Sequence, residues 1–106
     1  MIINKTSSYK KSITKLKRKH KNKELENICK LEEILLNHKS LHALMISSIW
    51  RIYRFEKLIG DKKSIFSARI NKQYRLEFKP INKIGYEFID VVELDLNEIS
   101  NHYKKI

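Results

Sequence analysis

Between Phe66 and Phe78 the chain alternates apolar and polar residues about a short polar turn. Phe66, Ala68 and Ile70 share one face against Ser67, Arg69 and Asn71, and Tyr74, Leu76 and Phe78 share one against Arg75, Glu77 and Lys79. A period of two marks a β-hairpin with one buried face. A turn confined to Lys72 and Gln73 would set Ile70 opposite Arg75 and mix core with charge. A loop of Asn71, Lys72 and Gln73 instead pairs Ile70 with Tyr74, Ala68 with Leu76 and Phe66 with Phe78. That register places Arg69 directly opposite Arg75, and like charges facing each other on a sheet are destabilising. Either a carboxylate or an anionic ligand has to answer them. Glu77, Glu87 and Glu93 are available for ordinary ion pairing, and that reading stands beside an anion site.

The other elements follow from the same kind of pattern. Residues 2–4 predict a short first strand, and Thr6, Ser7 and Ser8 offer helix caps. Tyr9, Ile13 and Leu16, with His20 continuing the line, have helical spacing. A second helix is expected over residues 23–37, with Leu25, Ile28, Cys29, Leu35 and Leu36 on one face and Leu31 and Ile34 widening it. The segment 38–58 mixes both periods without Gly or Pro. It reads as a connection with a short turn and then an extended approach to the hairpin, Trp50 and Tyr53 packing inward. Gly60-Asp61 marks a turn, Pro80 ends a strand, and residues 82–85 supply a loop. The last strand is expected at "YEFIDVVELD", residues 86–95, and "LNEISNHYKKI" is expected to form a helical turn or a tail. Strand, two helices and then antiparallel strands make an α+β fold: a small, twisted, mostly antiparallel sheet with both N-terminal helices on one face, β-α-α-β-β-β.

Composition narrows the setting. A chain of 106 residues makes one domain, residues 1–106, with a single modest core. The net charge of +11 draws it toward nucleic acid, anionic membrane or an acidic protein. Cys29 is the lone cysteine, so neither a disulfide nor a cysteine-based zinc framework can form, and a reducing cytosol is the expected compartment. No apolar run approaches membrane-spanning length, so no membrane partner is expected.

The charge is concentrated in the first helix, in Lys10, Lys11, Lys15, Lys17, Arg18, Lys19, Lys21 and Lys23. Such a face follows a phosphate backbone without reading bases, or is simply a solvated surface. His20, His38, His42 and His102 show no metal-ligand spacing, and no metal or other cofactor is implied. Glu56 stands shortly before the hairpin and reads either as a surface ion-pair partner or as a proton acceptor. A carboxylate, two arginines and a histidine match the needs of RNA transesterification. One group takes the proton of the ribose 2′-hydroxyl, another protonates the leaving 5′-oxygen, and fixed cations stabilise the phosphorane.

Together these residues resemble the RelE/ParE superfamily of bacterial toxins, and within it the branch containing YoeB and HigB. The resemblance rests on "LIGDKKSIFSARINKQYRLEF", residues 58–78, similar to that branch's Leu, Gly-Asp, Ser-x-Arg-Ile and Tyr/His-Arg-Leu core, and on His102-Tyr103 near the end. It implies the toxin of a type II toxin-antitoxin system, a cytoplasmic endoribonuclease that cuts messenger RNA on the ribosome without a metal. A cognate antitoxin would hold it silent. By that resemblance Arg75 stabilises the transition state, Arg69 holds phosphate beside it, His102 is the general acid, Tyr103 orients substrate and Glu56 is the general base. The basic residues of the first helix would then dock on ribosomal RNA. The chain departs from the pattern at Ile65, where a glycine is usual, and in Lys104, Lys105 and Ile106 after the His-Tyr pair. Relatives that poison DNA gyrase, or that only bind an antitoxin, keep the fold without the nuclease.

Overall fold

Apolar residues at the predicted periods assemble around one core in the computed structural model, which describes residues 1–58, 65–81 and 91–101. The order is β1 (Ile2–Lys5), α1 (Ser7–Arg18), α2 (Asn22–Asn37), α3 (Leu41–Met45), α4 (Ser48–Ile52), β2 (Glu56–Lys57), β3 (Phe66–Arg69), β4 (Tyr74–Pro80) and β5 (Glu93–Asn101). The strands lie side by side as β1-β5-β4-β3-β2, with β1 parallel to β5 and the remaining pairs antiparallel. Tyr9, Leu16, Ile28, Leu31 and Leu35 from α1 and α2 meet Leu76, Phe78, Leu94 and Leu96 of the sheet in one buried cluster. The α+β layout with two N-terminal helices on one sheet face therefore holds, and two short helices and a two-residue edge strand are added to it.

The hairpin has the register the alternation demands. Phe66 pairs with Phe78, Ser67 with Glu77, Ala68 with Leu76 and Arg69 with Arg75. Asn71 shapes the loop: its Oδ1 accepts from the N–H groups of Gln73 at 2.8 Å and Tyr74 at 2.7 Å, an Asx turn that replaces the missing glycine. Its Nδ2 donates to Glu24 of α2 at 3.0 Å, tying the loop to the helical layer. At the N-terminus, Thr6 caps α1 by accepting from the Tyr9 N–H at 3.1 Å.

Several sequence expectations are corrected. His20 does not extend the first helix. It is exposed, with φ 57°, and the N–H groups of His20 and Lys21 return to the carbonyls of Lys17 and Leu16, closing a Schellman motif. Cys29 and Leu36 are exposed rather than on the apolar face. The buried stripe runs through Ile28, Leu31 and Leu35, and each of the two follows a stripe residue by one position, about 100° around the helix. The segment after residue 38 is mostly helical, as α3 and α4, with Trp50 and Tyr53 packed against the core as expected.

Strand β5 continues to Asn101 where a tail or helical turn was expected. The cause is a bulge. Leu96 pairs with Phe78 but Glu98 with Glu77, so Asn97 is extra and the apolar phase moves from Leu94 and Leu96 to Ile99. The turn at Gly60-Asp61, the loop at residues 82–85 and residues 86–90 of the expected last strand lie outside the described residues.

Candidate functional site

The site forms where α4 hands the chain to the sheet edge. Arg54 follows α4 with φ 50°, its N–H donating to the Arg51 carbonyl at 3.1 Å and the Phe55 N–H to the Trp50 carbonyl at 2.9 Å. This is a second Schellman motif, with an arginine in the left-handed position that glycine usually takes. Its apolar clasp is the stack of Trp50 on Phe55, ring centroids 5.0 Å apart. The motif turns the chain into β2, where Glu56 pairs with Ser67 and Lys57 with Phe66. Leu58 continues the pairing through its N–H to the Ile65 carbonyl at 2.8 Å, so Ile65 is accommodated in regular register.

Strand alternation then brings the polar side chains together on the sheet face turned away from α1 and α2. Arg75 is 8% exposed. Its Nε donates to Ser67 Oγ at 2.8 Å and its Nη2 to the Arg54 carbonyl at 2.6 Å. Glu56 Oε1 lies 3.5 Å from the same Nη2 while its own side chain is 55% exposed, so one half of the pair is fixed and the other faces solvent. Burial pushes the Arg75 guanidinium below its ordinary pKa, Glu56 opposes that shift, and Arg69 and Arg54 add to it. An arginine nonetheless keeps its charge at physiological pH.

Arg69, the cross-strand partner of Arg75, is turned by a bond from its Nε to the Asn71 carbonyl at 3.3 Å. Arg54, Glu56, Arg69, Asn71, Lys72 and Arg75 line an open cleft of about 280 Å³. Four cations and one carboxylate thus share a small concave surface. Of the carboxylates weighed as ordinary partners, Glu93 accepts from Asn4 Nδ2 at 2.9 Å, Glu87 lies outside the described residues, and Glu77, buried two residues along β4 on the same face, does attract the Arg75 charge. The carboxylate in ion-pair contact with Arg75 is Glu56. The cleft's other cations leave room for an oxyanion with several charged oxygens, the chemistry of a phosphate.

The structure thus gathers Glu56, Arg69 and Arg75. His102 and Tyr103 lie outside the described residues, though β5 runs to Asn101, opposite Tyr74, the neighbour of Arg75. Lys10, Lys11, Lys15, Lys17, Arg18 and Lys19 are exposed on α1, on the other side of the sheet. They do not form one continuous face: Lys10 and Lys17 border a groove toward α2, while Lys11, Lys15 and Lys19 border one toward β5. Sequence reasoning missed Arg54. Its place in the left-handed turn between α4 and β2 leaves no periodic signal in the sequence.

Among the described residues no group of His, Cys, Asp and Glu is arranged to hold a metal ion, and no helix is long and apolar enough to cross a membrane.

No protein-family profile matches the chain, and no curated protein matches it by sequence. Solved structures do. YafQ from E. coli strain BL21(DE3) superposes with a TM-score of 0.69 at 16% identity, covering 94% of this chain and 91% of that one. The E. coli DinJ-YafQ toxin-antitoxin complex gives 0.66 at 19% identity, covering 94% and 90%. A YoeB/ParE toxin from Agrobacterium tumefaciens gives 0.61 at 16% identity, covering 97% of this chain and all 100% of the other. The fold is that of RelE/ParE-type toxins, with a buried, tethered arginine on the sheet face that the helices leave open.

Proposed function

We propose that this chain is the toxin of a type II toxin-antitoxin system and acts as a ribosome-dependent endoribonuclease on messenger RNA. The observation that carries the reading is Arg75, buried and tied by Ser67 and the Arg54 carbonyl, with Glu56 against it and Arg69 opposite. A guanidinium held this way needs no reorganisation when charge develops on a phosphate, which is the electrostatic form of catalysis worth most. The fold shared with the toxins YafQ and YoeB/ParE supports the assignment, and the DinJ-YafQ complex supports a cognate antitoxin as partner.

In the proposed reaction the Glu56 carboxylate takes the proton of the ribose 2′-hydroxyl as the 2′-oxygen attacks phosphorus. The bond from phosphorus to the 5′-oxygen breaks, and His102 gives that oxygen a proton. The products are a 2′,3′-cyclic phosphate and a free 5′-hydroxyl. Arg75 stabilises the doubly charged phosphorane, Arg69 and Arg54 hold the non-bridging oxygens, and Tyr103 orients the substrate. Exposed cations of α1 would contact ribosomal RNA through phosphates, an attraction that weakens with salt. Such a protein works in the cytoplasm.

The test is induced expression in bacteria with 5′-end mapping of a translated reporter, comparing wild type with Arg75→Ala, Glu56→Gln and His102→Ala. Growth arrest with discrete cuts inside reading frames, lost in Arg75→Ala and His102→Ala and reduced roughly a hundredfold in Glu56→Gln, is expected. Arrest without cuts, indifferent to all three, would refute the nuclease and point to gyrase or another protein target.

A further inference from the structure

The reaction proposed above leaves Lys72 without a task, although it lines the cleft together with Arg69. We propose that Lys72 binds the phosphodiester next to the scissile one, so that the cleft takes two consecutive phosphates of one RNA strand; the first of them sits at Arg75 and rests on the nuclease reading.

Charge is the first reason. Arg54, Arg69, Lys72 and Arg75 set four positive charges in the cleft against the single carboxylate of Glu56. One phosphodiester brings one negative charge and leaves two positive charges unanswered. At the phosphorane Glu56 has taken a proton and the substrate carries two negative charges, so the same excess remains. Even where Glu77 offsets part of the Arg75 charge, one cation is left over. Glu24, the carboxylate of α2 that reaches the hairpin loop, accepts instead from Asn71 Nδ2 at 3.0 Å. The anion that an RNA strand always brings beside one phosphate is the next phosphate.

The tethers divide the cleft into two positions. Arg75 is drawn toward Ser67 and the Arg54 carbonyl, beside Glu56. Arg69 is drawn toward the hairpin tip, its Nε bonded to the carbonyl of Asn71, the residue before Lys72. Lys72 is exposed at that tip, on a loop fixed by the two bonds that Asn71 Oδ1 accepts from Gln73 and Tyr74. Arg69 thus stands between a phosphate at Arg75 and a phosphate at Lys72.

The other direction along the sheet is unfavourable to a phosphate backbone. The next residue of β4 on the face of Arg75 is Glu77, and its partner on β5 is Glu98. Two facing carboxylates repel phosphate, so a strand that enters at Arg75 continues over Arg69 to the tip. Phosphate contacts of this kind fix the position of the strand and read no bases.

The test titrates isotope-labelled full-length protein with non-cleavable 2′-O-methyl trinucleotides. One carries two phosphates, and two others have the same bases with one phosphate or the other replaced by an uncharged methylphosphonate. Removing either charge is expected to weaken binding about tenfold and to lower the slope of log affinity against log salt by about 0.7. Lys72→Ala, at an exposed position, should bring the three ligands within about twofold of one another, and Lys72→Arg should restore the preference for two charges. Absence of binding, equal binding of all three by the wild type, or a preference that survives Lys72→Ala would overturn the second phosphate position, whatever the reporter messenger shows. An uncut messenger with the preference intact would instead refute the nuclease and leave the two-phosphate site standing.

Discussion

Arg69 and Arg75 are direct cross-strand partners, yet their environments differ. Arg75 is buried against Ser67 and the Arg54 carbonyl, while Arg69 is partly exposed and held through its Nε by the Asn71 carbonyl. The protein lowers the repulsion by aiming the two guanidinium groups with separate tethers and by setting Glu56 beside one of them. The cleft keeps an excess of positive charge, which suits it to an anion.

Arg75→Lys keeps the charge and loses the fork. A lysine ammonium cannot bond Ser67 Oγ and the Arg54 carbonyl in the planar geometry that fixes the arginine. The expected outcome is a folded protein whose cleavage rate falls at least about a hundredfold. Reporter cleavage together with a thermal melt checks both halves. Wild-type cleavage by Arg75→Lys would show that charge alone suffices there.

Arg54→Gly should separate stability from activity. A non-glycine residue at φ 50° carries a cost of about 1 kcal/mol that glycine does not. The substitution keeps the carbonyl that accepts from Arg75 and removes a cation from the cleft. The melting temperature should stay the same or rise by about 4 °C, while cleavage drops roughly tenfold. A clear fall in melting temperature would mean the Arg54 side chain supports the fold.

The hairpin register was legible because its alternation is unbroken and a one-residue slip would have buried a charge. Where a local irregularity intervened, the pattern misled. The Asn97 bulge shifts the phase of β5, so Ile99 no longer alternates with Leu96 and the strand looked finished. Both Schellman motifs put His20 and Arg54 where glycine is the usual marker, which hid the end of α1 and the turn out of α4. The site was partly readable for the same reasons. Arg69 and Arg75 followed from register alone, and Glu56 from its place shortly before the hairpin, with only its role as general base coming from resemblance. Its meeting with Arg75 depends on the two-residue strand β2, too short to leave a period.

Asn71→Ala removes both acceptor bonds of the Asx turn and the donor to Glu24. The loop loses the device that substitutes for glycine and one link between hairpin and α2, while the bond from Asn27 Nδ2 to the Ile70 carbonyl at 3.2 Å remains. A loss of about 1 to 2 kcal/mol is expected, read as a lower urea midpoint. Asn71→Asp keeps the turn acceptors but sets a carboxylate against Glu24, so it should recover only part of that loss. An unchanged midpoint in Asn71→Ala would mean that the strands set the loop unaided.

Tyr9 gives the fold a pH dependence with a definite sign. Its ring is fully buried and its hydroxyl donates to Glu32 Oε2 at 2.5 Å, while Lys5 Nζ lies 3.4 Å from Glu32 Oε1. Burial first, and then the bond to Glu32 and its charge, hold the phenol protonated well above its ordinary value of 10.0. The folded protein therefore keeps this proton where the unfolded chain has released it. The contribution is fully present below pH 10 and is lost as pH rises from there toward the folded value. Tyr9→Phe removes the hydrogen bond, costing roughly 1 to 2 kcal/mol near neutrality, and removes the titration with it. Alkaline solution acts on the rest of the protein as well, so the informative quantity is the difference between the two proteins. Urea midpoints at about pH 8 and about pH 11 should show the wild-type advantage shrinking between them. A constant advantage across that interval would show that the Tyr9 hydroxyl ionises alike in the folded and unfolded chain, and that its bond to Glu32 does not hold the proton.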